Sequence, residues 1–342
     1  MIRSNETQTI PVHVGDDHCI ELRRLFRYFG DTKAVHDISF TVPRGHVFGY
    51  IGPNGAGKTT SMRILATLDL PSFGDAFVDG FSVVNDPEYV RGRLGFMPDA
   101  FGTYRDVSCI EYLDFFARAY GLVGRQRMRR LRDVLAFTGA GGMADKPIRG
   151  LSKGMKQRLC LGRSLIHDPA VMILDEPAAG LDPRARIDLR RMIRTLASEG
   201  KTILISSHIL TELAEICDSV AIIEQGTLLA TGTVDDIIRS RKRAAADTTA
   251  EPDYRMLNLR ILERADEAAA AVRSRNSSGD RPIIDDVVVD GELIRVRFAG
   301  DPAAQARLVA DLCGGGFLVA EVFTEKESLE DAFLSVTEGL VQ

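Results

Sequence analysis

Lys58 and Thr59 end the run Gly52-Pro53-Asn54-Gly55-Ala56-Gly57-Lys58-Thr59, which fits the pattern G-x-x-x-x-G-K-S/T. These residue types suit the triphosphate of a nucleotide. Glycines let the chain turn its backbone N–H groups inward at a helix N-terminus. The lysine ammonium adds a point charge for the β- and γ-phosphates, and the threonine hydroxyl can ligand Mg²⁺. A second chemical group is acidic: Asp175 and Glu176 stand side by side after the apolar run Val171 to Leu174. One carboxylate can hold a metal ion while its neighbour orients or deprotonates an attacking water.

The surrounding pattern supplies elements to position these groups. Val47 to Ile51 is apolar and Thr60 to Leu68 is helix-like, so the glycine run lies between a strand and a helix. Val171 to Leu174 is continuously apolar, as in a strand covered on both faces of a parallel sheet. Asp175 then emerges at the carboxyl end of that strand, beside the glycine loop. Thr202 to Ser207 is a third strand and ends on His208. Met155, Leu159, Gly162 and Ile166 recur at helical spacing behind Ser152, which stands where a helix should begin.

Four segments in order, the glycine loop, Leu151-Ser152-Lys153-Gly154-Met155-Lys156-Gln157-Arg158, Val171 to Pro177, and Ala179-Gly180-Leu181-Asp182 followed by His208, resemble the nucleotide-binding domain of ATP-binding cassette (ABC) transporters. The resemblance spans roughly residues 20 to 235. It implies an α/β P-loop domain with a helical insert, ATP and Mg²⁺ as cofactors, and ATP hydrolysis coupled to transport.

Residue by residue, the resemblance assigns ATP contacts to Gly52, Pro53, Asn54, Gly55, Ala56, Gly57, Lys58, Thr59 and Thr60. Thr59 and Asp175 would hold Mg²⁺, Glu176 would be the catalytic base, and His208 would bond the γ-phosphate. Phe29, before Gly30, matches the ring that stacks on adenine, with Tyr28 the adjacent alternative. Ser152 and Gly154 would approach the γ-phosphate held by a second subunit in a head-to-tail dimer, and Asp182 would communicate between the two sites. Lys153 replaces the second signature glycine and leaves Ser152 and Gly154 in place. After Pro98 the family has a metal-touching glutamine where this chain has Asp99. A carboxylate there is expected to ligate Mg²⁺ directly or through water.

The rest of the chain divides by composition. Residues 1–19 form an N-terminal extension, 20–238 the ABC domain with its insert at about 99–165, 239–253 a charged, alanine-rich linker, and 254–342 a smaller α+β domain. In that last part, strand and helix patterns follow in β-α-β-β-α-β order, with Asp290-Gly291 as a hairpin signal, which suggests a ferredoxin-like unit. Ser328 and Asp331 form a capping box for a final helix whose Leu329, Phe333, Val336 and Leu340 should pack back on the protein. The closing Ser-Leu-Glu-Asp-Ala-Phe-Leu resembles stand-alone ATPase subunits of daunorubicin-resistance and polysaccharide or lipid exporters. Most of the insert's aromatics, Phe101, Tyr104, Tyr112, Phe115 and Phe116, are expected to form its own small core, the family resemblance implies a permease contact near residues 99 to 120, and the basic run Arg125 to Arg132 is expected to be a solvated helix face.

With 342 residues, 45% of them hydrophobic, and a net charge of −5, the chain suits a globular protein rather than a generic binder of polyanions. Five widely spaced cysteines without a C-x-x-C pair suggest reduced thiols. No apolar leader and no stretch of eighteen apolar residues is present, so the chain is expected on the cytoplasmic face of a membrane, held by a partner. That partner would be a separate polytopic permease, and a homodimer or heterodimer of ATPase subunits would act on it. Direct nucleic-acid binding is not expected. The alternative is a soluble ABC-type ATPase acting on the ribosome or nucleic acid.

Overall fold

The computed structural model describes residues 17–100, 102, 106–207, 213–237, 254–275 and 283–324. The described residues up to Ile237 form one compact unit and those from 254 a second. His208, Phe101, Tyr104, residues 239–253, the final helix expected from Ser328 and nearly all of the N-terminal extension lie outside the described residues.

The first unit holds two sheets over one core. An antiparallel sheet has the order β2-β1-β4-β5, from β1 (His18–Phe29), β2 (Thr32–Pro43), β4 (Phe73–Val78) and β5 (Phe81–Ser82). The second runs β10-β9-β3-β8-β7-β6, from β3 (Val47–Ile51), β6 (Leu94–Met97), β7 (Val171–Leu174), β8 (Thr202–Ser207), β9 (Ser219–Glu224) and β10 (Thr227–Thr233). Every residue of β3, β7 and β8 is buried, which explains the unbroken apolar sequences of β3 and β7 and the apolar centre of β8. Each fully covered aliphatic chain there contributes about 1.5–3 kcal/mol. β8 lies between β3 and β7, and β6, β7, β8, β3 and β9 are parallel. Four adjacent strands (β6, β7, β8, β3) therefore deliver their carboxyl ends to one edge of the sheet, where an open α/β sheet presents its crevice.

Helix α1 (Lys58–Leu65) follows β3, and its Met62, Ile64 and Leu65 enter the core shared by the two sheets. Beyond α2 (Pro87–Arg93) and β6 comes the helical insert, with α3 (Cys109–Ala119), α4 (Gly124–Phe137) and α5 (Lys153–Leu165). Ser108 and Glu111 close a capping box at the start of α3. Tyr112 and Leu113 are core, but Phe115 is 57% exposed, so the insert's aromatics do not all turn inward. Helical spacing sets Phe115 opposite the buried face. Two members of the basic run are likewise tied down. Arg127 pairs with Asp114 at 2.8 Å, and Arg130 donates to the carbonyls of Leu165 and Ile166. Helix α6 (Pro183–Ser198) leads to β8.

The second unit contains β11 (Arg255–Ile261), α7 (Ala265–Ser274), β12 (Ile284–Asp290), β13 (Leu293–Phe298), α8 (Pro302–Gly314) and β14 (Val319–Thr324). Its sheet is antiparallel throughout, in the order β12-β13-β11-β14. Leu257, Leu259, Ile294 and Val296 meet Ala269 and Val272 of α7 and Leu308 and Leu312 of α8 in a separate core. The hairpin falls one residue later than Asp290-Gly291 suggests: Asp290 pairs with Leu293, and Gly291 takes the first central position at φ +61. All five cysteines are free, four of them buried.

Candidate nucleotide site

The loop between β3 and α1 closes around its own lysine. Lys58 is 5% exposed, and its ammonium donates to the carbonyl oxygens of Gly52 at 2.7 Å and Pro53 at 3.2 Å. Helix α1 starts at Gly57 with no side-chain cap and no acid in its first turn, so its amides and partial positive charge are available to an anion. Gly57 has φ +99, and a Cβ there would lie 2.2 Å from the carbonyl oxygen of Ala34. Behind the loop the buried Tyr50 hydroxyl donates to Ser61 at 3.1 Å, and Ser61 in turn donates to the Gly57 carbonyl.

The acidic pair stands opposite. Asp175 is 1% exposed, and burial pushes its carboxyl above the usual range. The hydroxyls of Ser206 and Thr59 oppose that shift, while the charges of Glu176 and Asp99 add to it. These causes place Thr59, Asp99, Glu176 and Ser206 around one carboxyl group. Ser206 donates to Asp175 Oδ1 at 2.6 Å, but Asp175 Oδ2, also buried, has no hydrogen-bond partner. Glu176 Oε1 lies 3.6 Å from the Lys58 ammonium.

An orphaned buried carboxylate oxygen beside a threonine hydroxyl fits a hard divalent cation. Among the described residues no group of three or more His, Cys, Asp or Glu could hold a metal alone. That agrees with Mg²⁺, which takes one or two carboxylates and completes its shell with phosphates and water.

Other expected residues sit elsewhere. Ser152 caps α5, accepting from the Met155 amide at 3.3 Å, and Asp182 caps α6, accepting from the Ala185 amide at 2.9 Å. Ser152, Gly154 and Asp182 line one shallow surface depression with Lys146, Met155 and Ala185. Lys153 lies against Gly180, where an added Cβ would come within 2.5 Å of its ammonium. Phe29 is 48% exposed at the end of β1 and carries the Arg27 guanidinium 4.4 Å from its ring centre. Tyr28, by contrast, is engaged: its hydroxyl lies 2.9 Å from His36 Nδ1 and its ring contacts Phe26 and Phe73. Ser206 went unnoticed in the sequence. Its only signal is a pair of serines at the end of an otherwise apolar strand.

The chain matches the ABC transporter family over residues 35–179. The Nod factor export ATP-binding protein I of Burkholderia lata is 34% identical over 281 residues, covering 82% of this chain and 90% of that protein. The chain belongs to the ATP-binding proteins of ABC transporters. The ABC transporter ATP-binding protein NatA of Bacillus subtilis is 39% identical over 211 residues, 61% of this chain and 86% of NatA. A solved ATP-binding subunit of an ABC transporter is 32% identical with a TM-score of 0.61, covering 66% of this chain and 93% of that one. This ABC protein is thus an ATPase with the P-loop fold of the family, and it binds and hydrolyses ATP. Among the described residues no helix is long and apolar enough to cross a membrane.

Proposed function

We propose that this ABC ATPase powers a separate polytopic permease, working as an exporter from the cytoplasmic face of the membrane. The observation that carries the catalytic part is the convergence of Lys58, Thr59, Asp175 and Glu176 beyond the carboxyl ends of β3 and β7, on either side of β8, with the Glu176 carboxylate 3.6 Å from the lysine. ATP would lie in the loop 52–60, drawing the Lys58 ammonium from loop carbonyls to phosphate oxygens, with Phe29 against the adenine. Mg²⁺, when bound, neutralises charge on the β- and γ-phosphates. Thr59 and Asp175 would hold it, with Asp99 directly or through water. Glu176 takes the proton of the attacking water or orients it. His208 follows β8 in sequence and is assigned to the γ-phosphate.

Dimerisation completes the site. Ser152 and Gly154, at the solvent-facing N-terminus of α5 that Ser152 itself caps, suit the γ-phosphate in a second subunit's loop, and Asp182 lies on the same surface. Whether the second subunit is identical does not alter this chemistry. Docking of a permease is supported by a groove of about 500 Å³ near the start of the insert. Phe96, Phe116 and Tyr120 line it with Arg63, Arg91 and Arg163, and among the described residues no carboxylate does. An amphipathic permease segment bearing an acidic residue fits that lining. The relatives support the export reading: Nod factor export proteins and a probable multidrug transporter subunit share 33–38% identity with this chain.

The test is to express tagged Glu176→Gln chain in its native cell, solubilise membranes with Mg²⁺-ATP, and identify what co-purifies. A stoichiometric polytopic membrane protein is expected. Ribosomal or nucleic-acid partners with nothing from the membrane would replace this reading by that of a soluble ABC ATPase. Separately, Asp99→Ala should raise the Mg²⁺ concentration needed for half-maximal turnover by about tenfold. An unchanged requirement would remove Asp99 from the metal's surroundings.

A further inference from the structure

One buried side chain touches both acidic residues. Ser206 Oγ donates to Asp175 Oδ1 at 2.6 Å and accepts from the Glu176 backbone N–H at 2.9 Å. A hydroxyl has one proton to give and two lone pairs, so it can make both bonds at once. Ser206 is 0% exposed, and a bond of this kind to a charged group in a buried place is among the stronger ones a protein makes.

Topology explains why this residue and no other on the sheet can do so. Leu174 pairs with Ile205, so Asp175, the first residue beyond β7, comes level with Ser206, which is still paired with Tyr50 inside the sheet. On the other side of β8, Ile51 pairs with Ser207, immediately before the phosphate loop. Ser206 thus stands between the loop and the acidic pair.

We infer that Ser206 is a positioning residue for ATP hydrolysis. It fixes one oxygen of Asp175 so that the other, Oδ2, is presented to the metal, and it holds the Glu176 backbone in the turn that aims its carboxylate. Both halves have independent support. With Oδ1 tied to Ser206, the oxygen left without a partner is Oδ2. Glu176 has φ +47, a region that non-glycine residues occupy only when their surroundings over-determine it. Two bonds do so here: the Glu176 amide to Ser206, and the Ala179 amide to the Glu176 carbonyl at 3.1 Å. The inference rests on Asp175 as metal ligand and Glu176 as base. It adds that their geometry is set from β8.

Alanine at position 206 removes the hydroxyl and adds no atom, so Ser206→Ala should fold. The control is Thr202→Ala at the other end of β8, where an equally buried hydroxyl accepts from the Gly45 amide at 2.9 Å. Binding of a non-hydrolysable ATP analogue is measured with EDTA and with Mg²⁺, alongside kcat, KM and the melting temperature. Ser206→Ala is expected to bind the analogue in EDTA within about twofold of the unaltered chain. It should lose about tenfold or more of the affinity that Mg²⁺ adds, and kcat should drop about 10- to 100-fold with KM changing less. Thr202→Ala should lower only the melting temperature.

The inference is overturned if Ser206→Ala keeps both the Mg²⁺ gain and kcat, or if Thr202→Ala depresses them equally. Glu176→Gln run in parallel separates the two levels. Normal turnover in that variant would remove the base assignment and this inference with it. An inactive Glu176→Gln beside an unaffected Ser206→Ala would remove the positioning role alone.

Discussion

Each of the two units buries side-chain polar atoms without a hydrogen-bond partner, and one such place in each unit makes a comparison, since only one of the two marks a site. In the first unit it is Asp175 Oδ2; in the second it is the amide of Asn258, whose oxygen and nitrogen are both unsatisfied. Asp175 ends a parallel strand, where neighbouring strands end as well, so Lys58, Thr59, Glu176 and Ser206 surround it. Asn258 sits in mid-strand on β11 between Arg295 of β13 and Phe323 of β14, in an antiparallel sheet whose strands end alternately at opposite edges. An unsatisfied group has a chemical use where strand ends converge. In the middle of an antiparallel sheet it is a stability cost with nothing to act on.

The largest effect expected from this contrast is at Glu176. Glu176→Gln should reduce ATP turnover by about a hundredfold or more while ATP binding persists, as loss of a positioned base does. Single-turnover kinetics with equilibrium binding checks it, and near-normal turnover would dissolve the distinction between the two units.

Two glycines sharpen the same contrast. Gly57 and Gly291 both have positive φ, but a Cβ at Gly57 meets the Ala34 carbonyl at 2.2 Å, whereas at Gly291 nothing lies within 4 Å. Gly57→Ala must move backbone, and should abolish ATP binding and cost several kcal/mol, about 3 or more. Gly291→Ala meets only the conformational term, about 1 kcal/mol, with ATP hydrolysis unchanged. Nucleotide binding and denaturant midpoints measured on both variants decide between these outcomes.

Local chemistry made the phosphate loop, the buried strands β3, β7 and β8, and the start of α5 at Ser152 readable in the sequence, because each is written in consecutive residues. The close approach of Ala34 to Gly57 was not readable, since it depends on how β2 lies against the loop. Ser206 was missed for a related reason: its meaning comes from β8 being inserted between β3 and β7, an order that no local pattern records. Phe115 shows the converse. Most of an aromatic cluster belongs to a core, and only helical geometry decides which member turns outward.

A smaller effect separates the units by pH. His167 stacks on Tyr120 with ring centres 3.8 Å apart, and its Nε2 lies 3.0 Å from the Leu94 carbonyl oxygen. Burial lowers its pKa to about 4, with the charges of Arg130 and Lys201 adding to that, against the Leu94 hydrogen bond and Asp168, which raise it. The unfolded chain, titrating near 6.5, takes up the proton first as pH falls. Stability from this group is therefore whole above about pH 6.5 and declines down to about pH 4, by at most about 3 kcal/mol. No histidine occurs from Tyr254 onward, so the second unit has no counterpart. Urea unfolding from pH 7 to 5 should weaken the first unit's transition, and His167→Phe should flatten that slope.

The smallest effect returns to Asn258. Its amide is fully buried and makes no hydrogen bond, so the folded state has given up its hydration without replacement. Leucine has nearly the same volume and shape and removes that loss. Asn258→Leu should stabilise the second unit by about 1 kcal/mol and leave ATP turnover unchanged. Asp175→Asn, an equally small change at the other unsatisfied group, should leave stability near its starting value and remove the oxygen the metal needs. If Asn258→Leu instead destabilised the protein, the cost assigned to the unsatisfied amide would be smaller than the packing that leucine disturbs, and the contrast between the two units would lose its second member.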